Sequence, residues 1–333
     1  MDDVMPRLGR RRFGARLLAG GVGAVWSSVA NAQAQRRVSL GWVKSTANLL
    51  APTSVEVAPR HGLSIDSQNF NTASDVMTAV IGKQLDVGLL TPIHLLRSIE
   101  LNLDLVQIAG NTRGNTGIVI AGKSGIGEND WGGLKALNAK RKLKVASSRG
   151  SINEMLAIAE FRTRGLDLLK EFDLVNIANF AQHPQALRSG EVDMIVTLEP
   201  LVTLVVADGT GMLFNLPYDS AAKDLNTNYV VRREWLEGNV GLAAAFVASL
   251  ADSVAVLKDK KVELATARKT TGLPADVLQT ALARSRYELR NGVPETMALA
   301  KIALETRYIS RDVSGEIGAH VEERLLGQAG VSG

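Results

Sequence analysis

Short apolar runs alternate with helix-like segments along most of the chain. Two series of predicted strands follow one another, the first over 36–42, 63–70, 86–90, 105–110 and 117–122, the second over 143–146, 172–180, 192–198 and 212–216, with a further strand at 228–232. Helical periodicity is found over 49–60, 75–81, 151–164 and 184–189 and, past Leu236, over 239–259, 260–271, 274–285, 293–305 and 312–327. Strands that alternate with helices predict an α/β fold with mostly parallel sheets, here followed by a helical C-terminal segment.

Each series contains one eleven-residue segment of the same design. Residues 82–92 read "GKQLDVGLLTP" and residues 190–200 read "GEVDMIVTLEP". Each opens on a glycine that ends a helix, passes an aspartate and an apolar strand, and closes on a proline that can start the next helix. Because ligands of open α/β sheets bind beyond the carboxyl ends of strands, two such segments predict two similar halves that face one ligand.

Composition and charge describe an ordinary globular protein, with 46% hydrophobic and 22% charged residues in 333. This length suits two domains or one domain of two lobes. The net charge of +4 comes mainly from five arginines in residues 1–32; outside that segment 33 basic residues face 32 acidic ones. The balance gives no case for nucleic acid as a partner. The chain has no cysteine, which excludes disulfides, thiolate metal sites and cysteine nucleophiles.

Residues 1–32 predict an export signal. The letters "RRRF" from Arg10 resemble the twin-arginine motif, although Gly9 replaces the usual serine or threonine. A moderately apolar, glycine-rich stretch follows, and small residues surround a predicted cut near Ala32. Since no cysteine is present to carry a lipid, we predict a protein that is free in the periplasm and is not a lipoprotein.

Four segments, in order, resemble one family. They are "GWVKSTANLL" from Gly41, "NTASDVMTAVIGKQLDVGLLTP" from Asn71, "LKALNAKRKLKVASSRGSINEMLAIAEFRTRGLD" from Leu134 and "HPQALRSGEVDMIVTLEP" from His183. Together they resemble the periplasmic solute-binding proteins of ABC importers for nitrate, sulfonates, taurine and thiamine precursors. The resemblance covers about residues 38–235, and the C-terminal helices match only in general character.

The resemblance implies a two-lobed type II periplasmic binding protein fold with a cleft between the lobes. We expect residues 38–120 and 231–333 to form the first lobe and 121–230 the second. It implies a non-enzymatic, monomeric protein that captures a small solute and delivers it to the membrane subunits of an ABC permease. We expect no cofactor and no metal, and His61, His94, His183 and His320 lie too far apart in sequence to suggest a metal site.

The segment "VASSRGSINE" carries the strongest local signal for a ligand. A strand ends there, Gly150 allows a close approach, and Ser151 with Glu154 has the spacing of a capping box. Free N–H groups at a helix start favour an anion. Ser148 and Ser151 add hydroxyl groups and Arg149 adds a positive charge, so we predict an anion site, although the same pattern also fits an ordinary well-capped helix.

Other residues predicted to contact the ligand follow strand ends or flank them: Trp42, Ser45, Thr46, Asn48, Asn71, Thr72, Thr91 and Glu199. Thr91 precedes Pro92 at a helix start, and Ser74 is the predicted cap of the helix over 75–81. Glu199 and Trp42 would suit an amine-bearing or heterocyclic solute, while each also fits a structural role, as a charge at a helix start and as a core side chain.

Two rival classes of protein remain. One is an enzyme on the same fold that acts on a small heterocyclic or carboxylate substrate; the cysteine-rich segment of the thiamine-pyrimidine synthases is absent, and no nucleophile elbow, zinc helix or phosphate loop is found in the chain. The other is the effector-binding half of a transcription regulator, which would need a DNA-binding helix pair for which residues 1–37 are too short.

Overall fold

Two sheets and the helices that cover them make up the protein, which is represented by a computed structural model describing residues 36–331. The predicted export signal over 1–32 lies outside the described residues. Within them the strands are β1 (Arg36–Val43), β2 (Leu63–Phe70), β3 (Val87–Leu90), β4 (Leu105–Gly114), β5 (Thr116–Ala121), β6 (Lys144–Ser147), β7 (Asp173–Asn176), β8 (Met194–Leu198), β9 (Gly211–Asn215), β10 (Leu225–Arg232) and β11 (Ser285–Tyr287).

Fourteen α-helices are found in the described residues. They are α1 (Leu50–Val57), α2 (Ala73–Ile81), α3 (Pro92–Glu100), α4 (Trp131–Lys140), α5 (Ile152–Thr163), α6 (Leu168–Glu171), α7 (His183–Ser189), α8 (Leu201–Ala207), α9 (Arg233–Gly238), α10 (Val240–Leu257), α11 (Lys260–Thr271), α12 (Ala275–Ala283), α13 (Val293–Glu305) and α14 (Arg324–Gln328). Both eleven-residue segments have the predicted course, α2–β3–α3 and α7–β8–α8, and both opening glycines, Gly82 and Gly190, cap the preceding helix.

The strands form two mixed sheets. The first has six strands in the order β11-β4-β10-β3-β1-β2, and the second has five in the order β7-β6-β8-β5-β9. β1, β2 and β3 run parallel in the first sheet, as do β6, β7 and β8 in the second. The predicted α/β class with a helical C-terminal segment is confirmed, and the sheets are mixed, with four strands of each running in one direction.

The connections between the sheets join their carboxyl edges. β10 is antiparallel to both β3 and β4, so β4 ends at the same edge as β3. β5 then begins opposite Leu198, the last residue of β8. The single residue Asn115 therefore joins the carboxyl edges of both sheets, and the return connection from Asn215 to Leu225 does so a second time. We call these two connections the crossings and the space between the two edges the cleft.

The chain passes from one sheet to the other a few residues before each predicted lobe limit. β5 (Thr116–Ala121) already belongs to the second sheet, and β10 (Leu225–Arg232) already belongs to the first. The predicted lobe limits were 120 and 231. The change occurs earlier in both places because each crossing lies at a carboxyl edge, where one strand ends and the next begins.

α10 covers the first sheet. Among residues 36–331 it is the one helix that is long and apolar enough to span a membrane by length and composition. It packs against α1 and α14, and the ring of Phe246 meets that of Tyr229 of β10 edge to face at 5.5 Å. Phe246, Val247 and Leu250 are fully buried, so this helix contributes to the core.

The prediction of a last helix over 312–327 is wrong. A 3-10 helix at Ser314–His320 and the short α14 stand in its place. Between them Val321 forms a parallel bridge with Gln107 of β4, and the Glu322 N–H donates to the Gln107 carbonyl. This pairing with a distant strand prevents a continuous helix, although the sequence has helical periodicity there.

Short elements were also missed, namely α6, α9 and β11, and two others differ from the prediction. The strand expected over 172–180 is only β7 (Asp173–Asn176), because the Asn179 side chain caps a 3-10 turn that starts at Phe180. α4 was not predicted, since Gly132 and Gly133 mask its start. The Asp130 side chain accepts the Gly133 N–H and caps this helix.

Candidate functional site

The start of α5 lies at the cleft edge of the second sheet. Ser151 is its N-cap, and its Oγ accepts the Glu154 N–H at 3.2 Å. The Glu154 carboxylate turns back as predicted, but to the Gly150 N–H at 2.6 Å and the Ser147 hydroxyl at 2.8 Å. Glu154 therefore fills part of the space that an external anion would use.

Several donors remain at this helix start. Within the described residues the N–H groups of Ile152 and Asn153 have no acceptor, and the Ser151 hydroxyl hydrogen is free to donate. Ser148 donates to the Ala178 carbonyl at 3.2 Å, so its oxygen can still accept. The helix start thus keeps a reduced set of donors for a ligand.

Two positive side chains at the cleft have no acidic partner. The backbone N–H of Arg149 donates to Asn176 Oδ1 at 3.0 Å, which fixes the loop, while its guanidinium is exposed. Lys44, which follows β1 on the opposite edge, is exposed too. Within residues 36–331 neither forms an ion pair, so both contribute unneutralised charge beside the cleft.

The start of α3 brings in a histidine that the sequence did not single out. Thr91 Oγ1 shares a 2.8 Å hydrogen bond with His94 Nδ1, and His94 Nε2 lies 3.4 Å from Ser74 Oγ. His94 thereby links the first turns of α2 and α3 at the cleft edge. Burial lowers the pKa of His94 to about 4, so the ring is neutral near pH 7. The sequence could have indicated this contact, because His94 follows Thr91 by three residues at a predicted helix start.

The titration of His94 predicts a specific loss of stability in acid. The unfolded chain takes up this proton with a pKa near 6.5 and the folded chain only near 4, so the stabilisation is complete above pH 6.5 and is lost as the pH falls toward 4. Because His94 as a whole is only half-buried, we expect a loss of about 1–2 kcal/mol between pH 7.5 and 5.0. Urea unfolding of the wild type and of His94→Gln at both pH values measures it. An equal loss of stability in both proteins would contradict the assignment.

The loop after β1 is held by the first crossing. Thr46 is buried and its hydroxyl donates to Asn115 Oδ1 at 3.2 Å. Asn48 is buried as well, donating to the Val43 carbonyl and accepting from Asn111. Ser45 is half-buried and its side chain makes no cap hydrogen bond. Of these three predicted residues, only Ser45 has a side chain without a hydrogen bond among the described residues.

The loop after β2 is open. Asn71 and Thr72 are both exposed. Thr72 rather than Ser74 caps α2, because its Oγ1 accepts the Asp75 N–H at 3.1 Å. The expected capping role of Ser74 is therefore wrong by two residues, since the helix begins earlier than the apolar pattern indicated.

Trp42 and Glu199 are engaged inside the protein. Trp42 is 4% exposed and donates from Nε1 to Ser67 Oγ at 2.7 Å, within the core of the first sheet. Glu199 is 1% exposed; one carboxylate oxygen lies 2.6 Å from Arg284 Nη1 and the other accepts the Thr203 N–H at 3.1 Å. Neither side chain is presented to the cleft in this arrangement.

A cluster of buried charges holds the crossings together. Arg113, at the end of β4, is 3% exposed and lies within 4 Å of three carboxylates, those of Asp224, Glu288 and Glu295. Arg286 pairs with Asp224 as well. Beside it the Tyr218 hydroxyl accepts the Thr116 N–H and donates to the Thr116 carbonyl, which fixes the start of β5. No pattern in the sequence indicated this cluster.

Two mixed sheets whose carboxyl edges meet across a cleft define a two-lobed α/β fold. The model of the NMT1-like family matches residues 31–270 of the sequence. The chain belongs to the NMT1-like family. A search of curated proteins finds no match to the sequence.

Solved structures with the same fold include several binding proteins. The periplasmic aliphatic sulphonate binding protein SsuA from Escherichia coli aligns with a TM-score of 0.71 and 18% identity, over 86% of this chain and 92% of that one. The periplasmic nitrate-binding protein NrtA from Synechocystis PCC 6803 gives 0.72 and 14%, over 88% of each chain. A ligand-binding component of an ABC-type import system from Staphylococcus aureus gives 0.75 and 17%, over 90% of this chain and all of the other. At these identities the likeness establishes the fold.

Proposed function

We propose that the protein is the extracytoplasmic solute-binding subunit of an ABC-type importer, which captures a small solute in the cleft and delivers it to a membrane permease. The observation that carries this proposal is that both crossings join the carboxyl edges of the two sheets. Strand ends and helix starts from both halves then surround one space, where α/β folds bind ligands. The binding proteins that share the fold support the same function.

The solute is an organic or inorganic anion in this proposal. Arg149 and Lys44 supply charge without acidic partners, and the first turn of α5 supplies free donors. The alternative of an amine-bearing or heterocyclic solute relied on Glu199 and Trp42. Both make their hydrogen bonds within the protein, so the anionic class is favoured. Sulfonates, nitrate and organic acids are the solutes to test first.

The remaining parts of the proposal follow from this function. Residues 1–32 act as an export signal and the mature protein works in the periplasm as a monomer. The halves formed by the two sheets act as lobes that rotate about the crossings. Bound solute stabilises the closed arrangement in proportion to its higher affinity for that arrangement.

A thermal-shift screen of the chain from Gln33 tests the proposal. Sulfonates, nitrate, carboxylates, pyrimidines and amines are compared, and a bound solute at 100 times its dissociation constant should add about 2.7 kcal/mol of stability. We expect a single anionic class to raise the midpoint and mass spectrometry to recover it unchanged. A solute that returns chemically altered would favour an enzyme, and a shift by amines alone would contradict the anionic class.

A further inference from the structure

A cavity beside the cleft is lined by apolar and basic side chains, most of which are not part of the proposed solute site. Its volume is about 840 Å³, and it runs along α5, α6 and β7 of the second sheet. We call it the lateral cavity. Its apolar lining consists of Met155, Ile158, Leu169, Phe172 and Leu174. Of the residues predicted to bind the cleft solute, only Arg149 reaches it.

The opposite wall comes from the segment after α13. Thr306, Arg307 and Tyr308 line this side, and the Tyr308 ring packs so closely on Gly150 that a Cβ there would meet a ring carbon at 2.4 Å. Arg97 of α3 donates to the Tyr308 carbonyl, and the Ser310 N–H and hydroxyl both donate to Glu100. One wall thus belongs to the second sheet, while the other is fastened to the first.

The charges around the lateral cavity favour an anion. Lys142, Arg149 and Arg307 line it, and none of them has an ion-pair partner among residues 36–331. Of its two acids, Glu154 is bound to Ser147 and to the Gly150 N–H, which leaves only Asp173 free. Three basic side chains therefore face one free carboxylate.

Leu169 indicates that the apolar lining is open to a ligand. It is 39% exposed, one of few large apolar side chains in the described residues with so much surface in water. The volume falls in the range of small-molecule pockets, which combine apolar walls with a few polar groups. Met155, Ile158 and Phe172 are buried, so a ligand would cover chiefly Leu169 and the half-buried Leu174, which is favourable in proportion to the apolar area removed from water.

We propose that the lateral cavity is a second small-molecule site, which takes an amphiphilic organic anion. The apolar body of the ligand lies against Leu169 and Leu174, and its anionic group lies among the three basic side chains. The site shares Arg149 with the proposed cleft site, but its apolar lining, Lys142 and Arg307 are its own, so the proposal does not rest on the proposed function.

Decanoate is the probe, measured by its displacement of 1-anilinonaphthalene-8-sulfonate fluorescence from the intact chain. Both molecules belong to the anion classes proposed for the cleft, so we expect a saturable site whose displacement persists when Thr91→Trp narrows the cleft. Leu169→Trp should weaken decanoate about tenfold or more, because the larger ring occupies the cavity. Leu101→Trp is the matched control, since Leu101 is 50% exposed at the end of α3 and lies outside the lining. It should bind as the wild type does.

Two further variants locate the site. Arg307→Gln should weaken decanoate about threefold through the loss of one exposed charge. Thr91→Trp, on the first-sheet edge of the cleft, should leave decanoate binding unchanged. Absence of saturable binding to the wild type, equal effects of Leu169→Trp and Leu101→Trp, or loss in Thr91→Trp alone would each overturn the proposal. Failure of the cleft solute screen would leave these outcomes unaffected.

Discussion

Arg113→Met should lower the free energy of unfolding by about 3–5 kcal/mol, the usual cost of removing one partner from a buried ion pair. The guanidinium is almost fully buried and lies 3.2 Å from Glu295, 3.4 Å from Glu288 and 3.9 Å from Asp224. Methionine keeps much of the volume but removes the buried cation, so the three carboxylates retain only the exposed Arg286, Arg290 and Lys223 as partners. Urea denaturation followed by circular dichroism gives the value.

Lys269→Met is the control for this experiment. Lys269 pairs with Glu56 at 3.3 Å, but both side chains are well exposed, so the loss should be within about 0.5 kcal/mol. If Arg113→Met cost no more than Lys269→Met, the charged cluster would not hold the crossings, and the account of a fixed connection between the sheets would be wrong.

Ser151→Trp should weaken binding of the cleft solute by more than about 100-fold, equivalent to roughly 2.7 kcal/mol. Ser151 caps α5 at the cleft edge, and an indole there would occupy the space in front of the free N–H groups of Ile152 and Asn153. Ser151→Ala removes the cap without adding bulk. It should cost about 1 kcal/mol of stability and, through the loss of one hydroxyl donor, weaken the solute only about tenfold.

Asp259→Trp is the matched control, because Asp259 also caps a helix of twelve residues, α11, in the C-terminal segment. Calorimetric titration of all three variants with the solute found by screening separates blockage of the site from loss of a cap. Unchanged affinity in Ser151→Trp, or an equal loss in Asp259→Trp, would refute the placement of the anion at the start of α5.

The sequence was sufficient for those parts of the fold that depend on neighbouring residues. In both eleven-residue segments the glycine, the apolar strand and the proline lie within one short stretch, and the structure has helix, strand and helix there. The cap at Ser151 was predictable for the same reason, since its partner Glu154 is three residues away. Structures of this kind can be predicted because the residues that form them lie a few positions apart in the sequence.

Contacts between distant residues could not be predicted. Glu199 was open to two interpretations because its partner Arg284 lies 85 residues further along the chain, and Trp42 finds Ser67 on the neighbouring strand. The cluster around Arg113 combines β4 with the second crossing, the segment before α13 and the first turn of α13, so no spacing reveals it. Likewise, Val321 ends the predicted last helix only because β4 lies beside it.

The predicted sites differ in how much of their chemistry the structure leaves free. Arg149, Ser151, Ser45, Asn71 and Thr72 remain available at the carboxyl edges, whereas Thr46 and Asn48 are bonded to the crossing residues and their neighbours. Selecting among strand-end residues requires the burial and hydrogen bonds of the folded chain. Residue type and position in the sequence identify all of these candidates, but they do not separate the free side chains from the bonded ones.

Closure of the lobes on a bound solute is the central claim, and a distance measurement tests it most directly. Because the chain has no cysteine, Thr78→Cys on α2 and Gln185→Cys on α7, both exposed, place one spin label on each lobe without competing thiols. We predict that the label distance shortens and its distribution narrows when the solute from the screen saturates the protein, and that Ser151→Trp abolishes the change. An unchanged distance distribution at saturation would contradict capture between two moving lobes.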